Sequence, residues 1–278
     1  MARKFSLDCE KLWGMPSGVK RQYIENNIKN AEQALSSICE AWCDEGATLY
    51  LAFVINSISP SSPTAIQEKQ ALKDRGFKPY LSDEYLYFYG LNRLSKKKTI
   101  LYGLHGSNHE LYSEMNPQEV EAELESVESF LESNQGFDKL FVYPKNLVDS
   151  ISIKKYKKWF SYVRVNSRSW LYRTNKGGPK KFKRLLRYLD SFLPIYEFFC
   201  LKEPEHDIDN STVGTHFYRA NLSPPLLVIH YLRLRFGVFF MGCIGRDVHI
   251  WSHPHNFSGS QFSVKLFCSL QGTKGFMK

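Results

Sequence analysis

The chain has 278 residues, of which 43% are hydrophobic, 15% aromatic and 23% charged. This composition excludes a disordered or fibrous protein and supports a large buried core. Lys and Arg number 37 against 28 for Asp and Glu, which gives a formal net charge of +9. The basic residues fall in short runs typical of solvated helix faces, so we expect no nucleic-acid partner. Attraction to an anionic sugar carrier stays open.

The sequence predicts neither a membrane span nor a secreted disulfide framework. Residues 226–244 are the most apolar stretch, but His230, Arg233 and Arg235 interrupt it before the roughly 18 uncharged residues of a span. This stretch predicts a buried helix. The N-terminal residues leave no room for the apolar region of a signal peptide, and the six cysteines include no CxxC pair. We expect reduced thiols and a cytoplasmic protein.

Apolar segments with strand character alternate with amphipathic helices along the chain. Strands are predicted at residues 4–7, 48–55, 99–102, 140–143, 162–165 and 248–251. A helix is predicted over 19–43, with Ile24, Ile28, Ala31, Leu35 and Ile38 on its buried face. Another is predicted over 117–133, after a cap at residue 116. The alternation predicts parallel βα units in one domain, a single distorted (β/α) barrel over residues 1–278.

Two segments depart from the alternation and are predicted insertions on the rim of the barrel. Residues 57–89 are rich in Pro, Ser and Lys, and indicate a long loop with a short helix near 65–75. Residues 176–215 contain a basic amphipathic helix over 180–192, followed by an acidic loop. Insertions of this kind usually shape a substrate cleft.

Polar residues follow four of the predicted strands, where the carboxyl ends of barrel strands share one face. The clusters are Asp8-Cys9-Glu10 with Trp13-Gly14, then His105-Gly106-Ser107-Asn108-His109, then Pro144-Lys145-Asn146, and last His249 to Asn256. In the second cluster the i, i+4 spacing places both imidazoles on one side of a helical turn, where they can ligate one metal ion. In the third, a backbone N–H beyond Pro144 can donate to a developing oxyanion.

Taken in order, these four motifs resemble the polysaccharide deacetylase family, in particular its metal-dependent sugar N-deacetylases of surface-polysaccharide synthesis. The resemblance runs from Phe5 to Phe257 and includes weaker agreement at residues 164–170 and 217–219. Glu10 stands where many relatives carry Asp, and Lys145 where they often carry Arg. The resemblance implies a barrel of the polysaccharide deacetylase type and removal of an N-acetyl group from an acetamido sugar, free or carrier-linked.

The resemblance also implies a role for each matched residue. Asp8 would be the general base and His253 the acid that protonates the leaving amine, while the backbone N–H of Lys145 would stabilise the oxyanion. Glu10, His105 and His109 would hold a divalent metal, most simply Zn²⁺, with Asp8 the alternative carboxylate ligand. Neighbouring aromatic and polar side chains are candidate sugar contacts: Trp13, Tyr143, Asn146, Trp170, Trp251 and His255.

Two other functions fit the same residues. One is hydrolysis of a different linear or cyclic amide at the same site. The other is non-catalytic binding of a carbohydrate or polyanion by the aromatic, basic rim. Metal content separates the binding protein from both enzymes, since a binder has no reason to retain a stoichiometric divalent ion.

Overall fold

Eight parallel strands form one curled sheet in the computed structural model of the protein. The structure describes residues 3–16, 18–43, 47–61, 63–91, 97–112, 114–148, 151–165, 180–200, 211–213 and 215–272. The strands are β1 Arg3–Cys9, β2 Thr48–Phe53, β3 Ile100–Leu104, β4 Leu140–Val142, β5 Tyr162–Val165, β6 Ser211–Val213, β7 His216–Phe217 and β8 Val248–Ser252. All six predicted strands are present. The short strands β6 and β7 were not predicted.

The strand order is that of a parallel, curled half-barrel sheet. Neighbours in the sheet run β6-β5-β4-β3-β2-β1-β8-β7, and every pair is parallel. Strands β6 and β7 lie at the two ends of this order, and no ladder joins them within the described residues. The carboxyl ends of β1, β3, β4 and β8 therefore meet at the same edge, which is where the polar motifs follow.

Helices connect the strands and cover the sheet. They are α1 Arg21–Tyr23, α2 Ala31–Ala41, α3 Pro63–Leu72, α4 Asp83–Leu86, α5 Pro117–Ser133, α6 Ser152–Trp159, α7 Lys180–Leu189, α8 Ile195–Cys200, α9 Pro224–Cys243 and α10 Gln261–Ser269. The helix predicted over 19–43 is interrupted, because a π-helical segment, Ile24–Ile28, separates α1 from α2. Its predicted inner face is nevertheless buried throughout. Helix α5 begins as predicted, with Asn116 and Glu119 forming a capping box.

The segment 57–89 is more ordered than the predicted loop. Its short helices bury Leu72, Phe77 and Leu86 in a core cluster that also contains Leu12 and Ile28. The apolar residues of this segment therefore pack against the chain that follows β1 rather than lining a cleft.

Helix α9 is only partly buried, although the sequence predicted a buried helix. Val228, Leu232 and Phe239 are exposed on one face, whereas His230 and Arg233 are buried on the other. By length and composition α9 is the one described helix that could cross a membrane, and 39% of its apolar window is buried inside the structure. A core-packed helix of a water-soluble protein passes the same test, and the polar contacts of the buried face, described below, are to protein.

Candidate metal and catalytic site

Three imidazoles converge on one buried carboxylate at the carboxyl edge of the sheet. Glu10 Oε1 lies 3.0 Å from Nε2 of His105, 3.0 Å from Nε2 of His109 and 3.3 Å from Nε2 of His253. The Glu10 side chain is 6% exposed, so water does not screen its charge. Asp8 belongs to the same cluster through a second potential ligand set with Glu10 and His253. The structure thus brings together residues from the ends of β1, β3 and β8.

His105 and His109 meet through a loop rather than a helical turn, so the helical reason given for their spacing was wrong. Gly106 and His109 both have left-handed backbone angles, with φ of 81° and 66°. Glu123 of α5 holds this loop, because its carboxylate accepts the Ser107 N–H at 2.7 Å and also contacts the Ser107 hydroxyl. The Tyr112 hydroxyl donates to the same carboxylate at 2.9 Å. Glu123, a buried acid on α5, therefore holds the loop that connects His105 and His109.

The donor chemistry of the cluster fits a divalent cation. The Nδ1–H of His105 donates to the Val142 carbonyl at 2.7 Å, which leaves the lone pair on Nε2 facing Glu10. A carboxylate oxygen and an imidazole lone pair repel each other unless a positive charge lies between them. Glu10, His105 and His109 each offer one ligand atom, and these atoms lie within 4.8 Å of one another. One carboxylate and two imidazoles are a common ligand set for catalytic zinc.

Asp8 forms a buried ion pair with Arg164 of β5. Arg164 Nη1 donates to Asp8 Oδ1 at 2.8 Å and Nη2 to Oδ2 at 2.5 Å. The same guanidinium donates to Ser6 Oγ at 2.7 Å and to Asn146 Oδ1 at 2.9 Å. The Ser6 hydroxyl in turn lies 2.8 Å from Nε2 of the buried His249. Both carboxylate oxygens of Asp8 are therefore fixed in orientation.

The surroundings keep both carboxylates ionised. Burial raises the pKa of Asp8, but the Arg164 guanidinium outweighs burial and the net pKa is lowered. Burial likewise raises the pKa of Glu10, but its electrostatic interaction with the His109 and His253 rings and its hydrogen bonds with His105 and His109 outweigh burial and hold the pKa well below its usual range. The site therefore presents two anionic carboxylates within a cluster of imidazoles.

The pKa values of the neighbouring residues His253 and His255 are shifted in opposite directions. Their rings lie 4.9 Å apart between centroids. Burial lowers the pKa of His253, but the adjacent Glu10 carboxylate overcomes this and raises it. Burial and the His253 charge lower the pKa of His255 to about 3. Near neutral pH His253 can carry a proton and His255 is neutral.

Gly14 is required for the position of Glu10. A methyl group at Gly14 would collide with the Glu10 carboxylate. We expect Gly14→Ala to lower metal affinity by about tenfold to a hundredfold. The added methyl group would push the Glu10 carboxylate out of position, and changes to the groups that orient a metal ligand typically cost that much. The measurement is metal content after dialysis against graded chelator. Gly272→Ala is the matched control, since its added methyl group meets only Ser269 O at 3.8 Å. Equal metal retention in the two variants would contradict the role of Gly14.

A cavity of about 540 Å³ opens onto the cluster. Four predicted site residues beyond the cluster line it, namely Lys145, Asn146, Trp251 and His255. Lys145 and Asn146 both have left-handed backbone angles, with φ of 51° and 56°. The Arg164 guanidinium lies over the Trp251 ring, with its central carbon 4.6 Å from the ring centroid. The structure thus places these four side chains where they can touch a ligand.

Two predicted sugar contacts are wrong. Trp13 is buried away from the cavity, and its indole N–H donates to the Leu86 carbonyl at 3.0 Å. Tyr143 is buried, with its hydroxyl 2.9 Å from Ser152 Oγ. Each belongs to a hydrophobic core cluster, Trp13 with Leu12 and Leu86, and Tyr143 with Phe141 and Tyr156. Trp170 lies outside the described residues.

A second buried network borders the cavity through Asp190, His216 and Arg233. Arg233 of α9 donates to both carboxylate oxygens of Glu197, at 2.8 and 2.7 Å, and to Asp190 at 2.8 Å. His216 Nε2 lies 2.8 Å from the same Glu197 carboxylate. This network ties α9 to α8 and to β7, and sequence analysis did not identify it.

His230 beside this network makes stability sensitive to acid. Its Nδ1–H donates to the Ser191 carbonyl at 2.7 Å, and its Nε2 accepts the Arg219 N–H at 3.0 Å. A second proton on Nε2 would face that N–H. Burial lowers the His230 pKa from 6.5 to about 4. The unfolded chain therefore binds more protons below pH 6.5, and stability falls as the pH drops toward 4, by up to about 3 kcal/mol.

Because the His230 imidazole would bind the extra proton on unfolding, the unfolding free energy of the variant His230→Leu should depend less on pH than that of the parent. Urea unfolding at about pH 7.5 and about pH 4.5 measures the difference in unfolding free energy for each protein. We expect the parent to lose more stability on acidification than the variant, although the variant is less stable at the higher pH. Equal losses in the two proteins would show that other groups titrate.

Arg164 is the main residue that sequence analysis left out of the site. It fell within a region of weaker resemblance but received no role. A charged residue in the middle of the apolar strand Tyr-Val-Arg-Val was the available signal, because a buried arginine requires a partner. Arg219 also lies in a region of weaker resemblance and Arg187 in the predicted basic helix, but neither received a role, and Glu123 carried no comparable signal.

The fold and the cluster define the chain as a parallel α/β protein with carboxylate and histidine groups able to hold a metal ion. No protein-family model and no curated protein matches the sequence. Among solved structures, the 4-alpha-glucanotransferase from Thermococcus litoralis is similar over 95% of this chain and 35% of its own, with 10% identity and a TM-score of 0.42. The chain thus spans about a third of that enzyme's length, and a likeness at this level identifies no family.

Proposed function

We propose that the protein is a metal-dependent hydrolase that removes the N-acetyl group from an acetamido sugar or polysaccharide precursor. The observation that carries this proposal is the convergence of three imidazoles on Glu10 beside the ion-paired Asp8. The barrel strand order and the four motifs at strand ends support assignment to a barrel of the polysaccharide deacetylase type. The five cysteines whose side chains are described form no disulfide, which supports a cytoplasmic location.

Glu10, His105 and His109 would hold the metal, most simply Zn²⁺. A bound ion of this kind supplies Lewis acidity toward the acetamide oxygen and toward water. The remaining chemistry belongs to the chain. Asp8 accepts a proton from the attacking water, and Arg164 keeps it anionic and correctly oriented for that purpose.

His253 supplies the proton that the leaving nitrogen needs, because an amine anion is too basic to depart. The neighbouring Glu10 carboxylate raises the pKa of His253 and so favours its protonated form. The backbone N–H of Lys145 is the candidate donor to the tetrahedral oxyanion. Asn146, Trp251 and His255 line the cavity and are the remaining candidates for sugar contact.

The test combines metal content with acetate release. Purified protein is assayed for bound divalent ion, and for acetate released from N-acetylated nucleotide sugars, lipid-linked sugars and oligosaccharides with metal supplied. We expect the parent protein to retain stoichiometric metal and the double variant His105→Ala/His109→Ala to lose it. Equal metal in both preparations would refute the ligand set. Metal without acetate release from any acetamido sugar would favour a different amide, and neither metal nor release would favour a binding protein.

A further inference from the structure

The cavity that contains the metal cluster is more basic than a neutral acetamido sugar requires. Its lining beyond the cluster itself includes Arg187, Ser191, Phe217 and Arg219. Two acids on or behind this part of the wall, Asp190 and Glu197, share the single guanidinium of Arg233, and neither forms an ion pair with Arg187 or Arg219 among the described residues.

Two cations at the cavity have no carboxylate partner within the part of the chain that the structure describes. No described carboxylate lies at ion-pairing distance from Arg187 or Lys145. Arg187 Nε reaches only the Lys183 carbonyl of its own helix, at 3.3 Å, and Lys145 is exposed at the mouth. Unmatched positive charge around a concave site attracts anions and concentrates them there.

Arg219 is held in place beside this charge. Its Nε donates to Ser191 Oγ at 2.6 Å, and its guanidinium carbon lies 5.6 Å from the ring centroid of Phe217. A guanidinium positioned in this way offers a fork that matches phosphate oxygens.

An aromatic pair connects the basic wall to the metal cluster. Phe217 and Trp251 pack with centroids 4.6 Å apart, and the Phe217 ring lies 5.7 Å from His253. One ring therefore separates Arg219 from the residue expected to protonate the leaving amine. A sugar ring stacked on Phe217 could place its acetamido group at the metal cluster. A substituent on the other side of the ring would then lie beside Arg187 and Arg219.

We propose that the cavity binds a phosphate-bearing acetamido sugar, a glycosyl phosphate or diphosphate, with the phosphate held by Arg187 and Arg219. Lys145 contributes positive charge at the mouth. This inference rests on the proposed function for the sugar end and on the unmatched charge for the phosphate end. A nucleotide carrier and a lipid carrier share this phosphate chemistry, and the assay separates them.

Direct binding tests the phosphate site without relying on catalysis. Glucose 1-phosphate and glucose are titrated calorimetrically into the metal-loaded protein. We expect the phosphate to bind and glucose to bind at least tenfold more weakly, as loss of charge-assisted hydrogen bonds implies. Arg187→Gln and Arg219→Lys should each weaken phosphate binding by about tenfold to a hundredfold. Arg219→Lys preserves charge and bulk, so it guards against unfolding.

Arg184→Gln is the matched control, because Arg184 is exposed on the same helix as Arg187 and does not line the cavity. It should bind glucose 1-phosphate as the parent does. Equal affinities for the phosphate and for glucose, or equal weakening in Arg184→Gln and Arg187→Gln, would overturn the proposal.

Acetate release then distinguishes the two proposals and the two carriers. We expect kcat/KM to be higher for nucleoside-diphosphate or lipid-diphosphate acetamido sugars than for the free sugar, and Arg187→Gln to reduce that ratio. If kcat/KM is equal for the free sugar and for the carrier-linked sugars, the phosphate-site proposal is refuted and the deacetylase proposal stands. If phosphate binding depends on the arginines but no form of the sugar releases acetate, the deacetylase proposal is refuted and the phosphate-site proposal stands.

Discussion

Replacement of Asp8 by Asn or of His253 by Ala is expected to lower kcat for acetate release by about 10²- to 10⁴-fold, the usual contribution of a general base or acid. Asn occupies the space of Asp8 and can still accept a hydrogen bond from Arg164, but it cannot take a proton from water. Ala at position 253 removes the imidazole whose Nε2 lies 3.3 Å from Glu10. Neither change removes a residue of the expected ligand set, so bound metal should persist in both variants.

The variant His255→Ala separates the acid from its neighbour. His255 is buried with a pKa of about 3, so it is neutral at working pH and a poor proton donor. We expect this variant to keep a larger share of turnover than His253→Ala, since two titratable groups with pKa values pushed apart have different roles. If His253→Ala turns over as fast as the parent, the acid is another residue; His255, the alternative on the same strand end, would then have to show a pKa well above its expected value.

The strand ends were predictable from sequence because parallel strands share a carboxyl edge. That rule brought Asp8, Glu10, His105 and His253 to the same edge, without any detail of the loops. The loop geometry was not predictable. His109 reaches Glu10 through a left-handed backbone and an anchor on Glu123, and neither follows from an i, i+4 spacing.

Aromatic residues next to the motifs were predicted less well. Trp13 and Tyr143 belong to core clusters, whereas Trp251 lines the cavity. Sequence alone gives each of them an aromatic ring near a strand end, and the side on which it packs depends on the tertiary neighbours. The basic helix over 180–192 was expected on the cleft rim, but its pairing with Arg219 was not, because Arg187 and Arg219 come from separate elements that meet only in the folded chain.

The variant Arg164→Met is expected to lower the unfolding free energy by about 3–5 kcal/mol, the typical cost of leaving one member of a buried ion pair alone. Arg164 is fully buried, and its loss removes the hydrogen bonds to Ser6, Asp8 and Asn146. Arg184→Met, on the exposed face of α7, is the control and should cost little. Urea unfolding of the metal-loaded proteins measures both values.

A double-mutant cycle tests whether that cost comes from the uncompensated charge of Asp8. If it does, Asp8→Asn should cost less in an Arg164→Met background than in the parent, because the neutral amide no longer leaves a buried charge without its partner. The two substitutions should then be less destabilising together than their separate costs imply, by more than about 1 kcal/mol. Additive costs would mean that packing against Trp251 and the bonds to Ser6 and Asn146, rather than the ion pair, account for the stability that Arg164 provides.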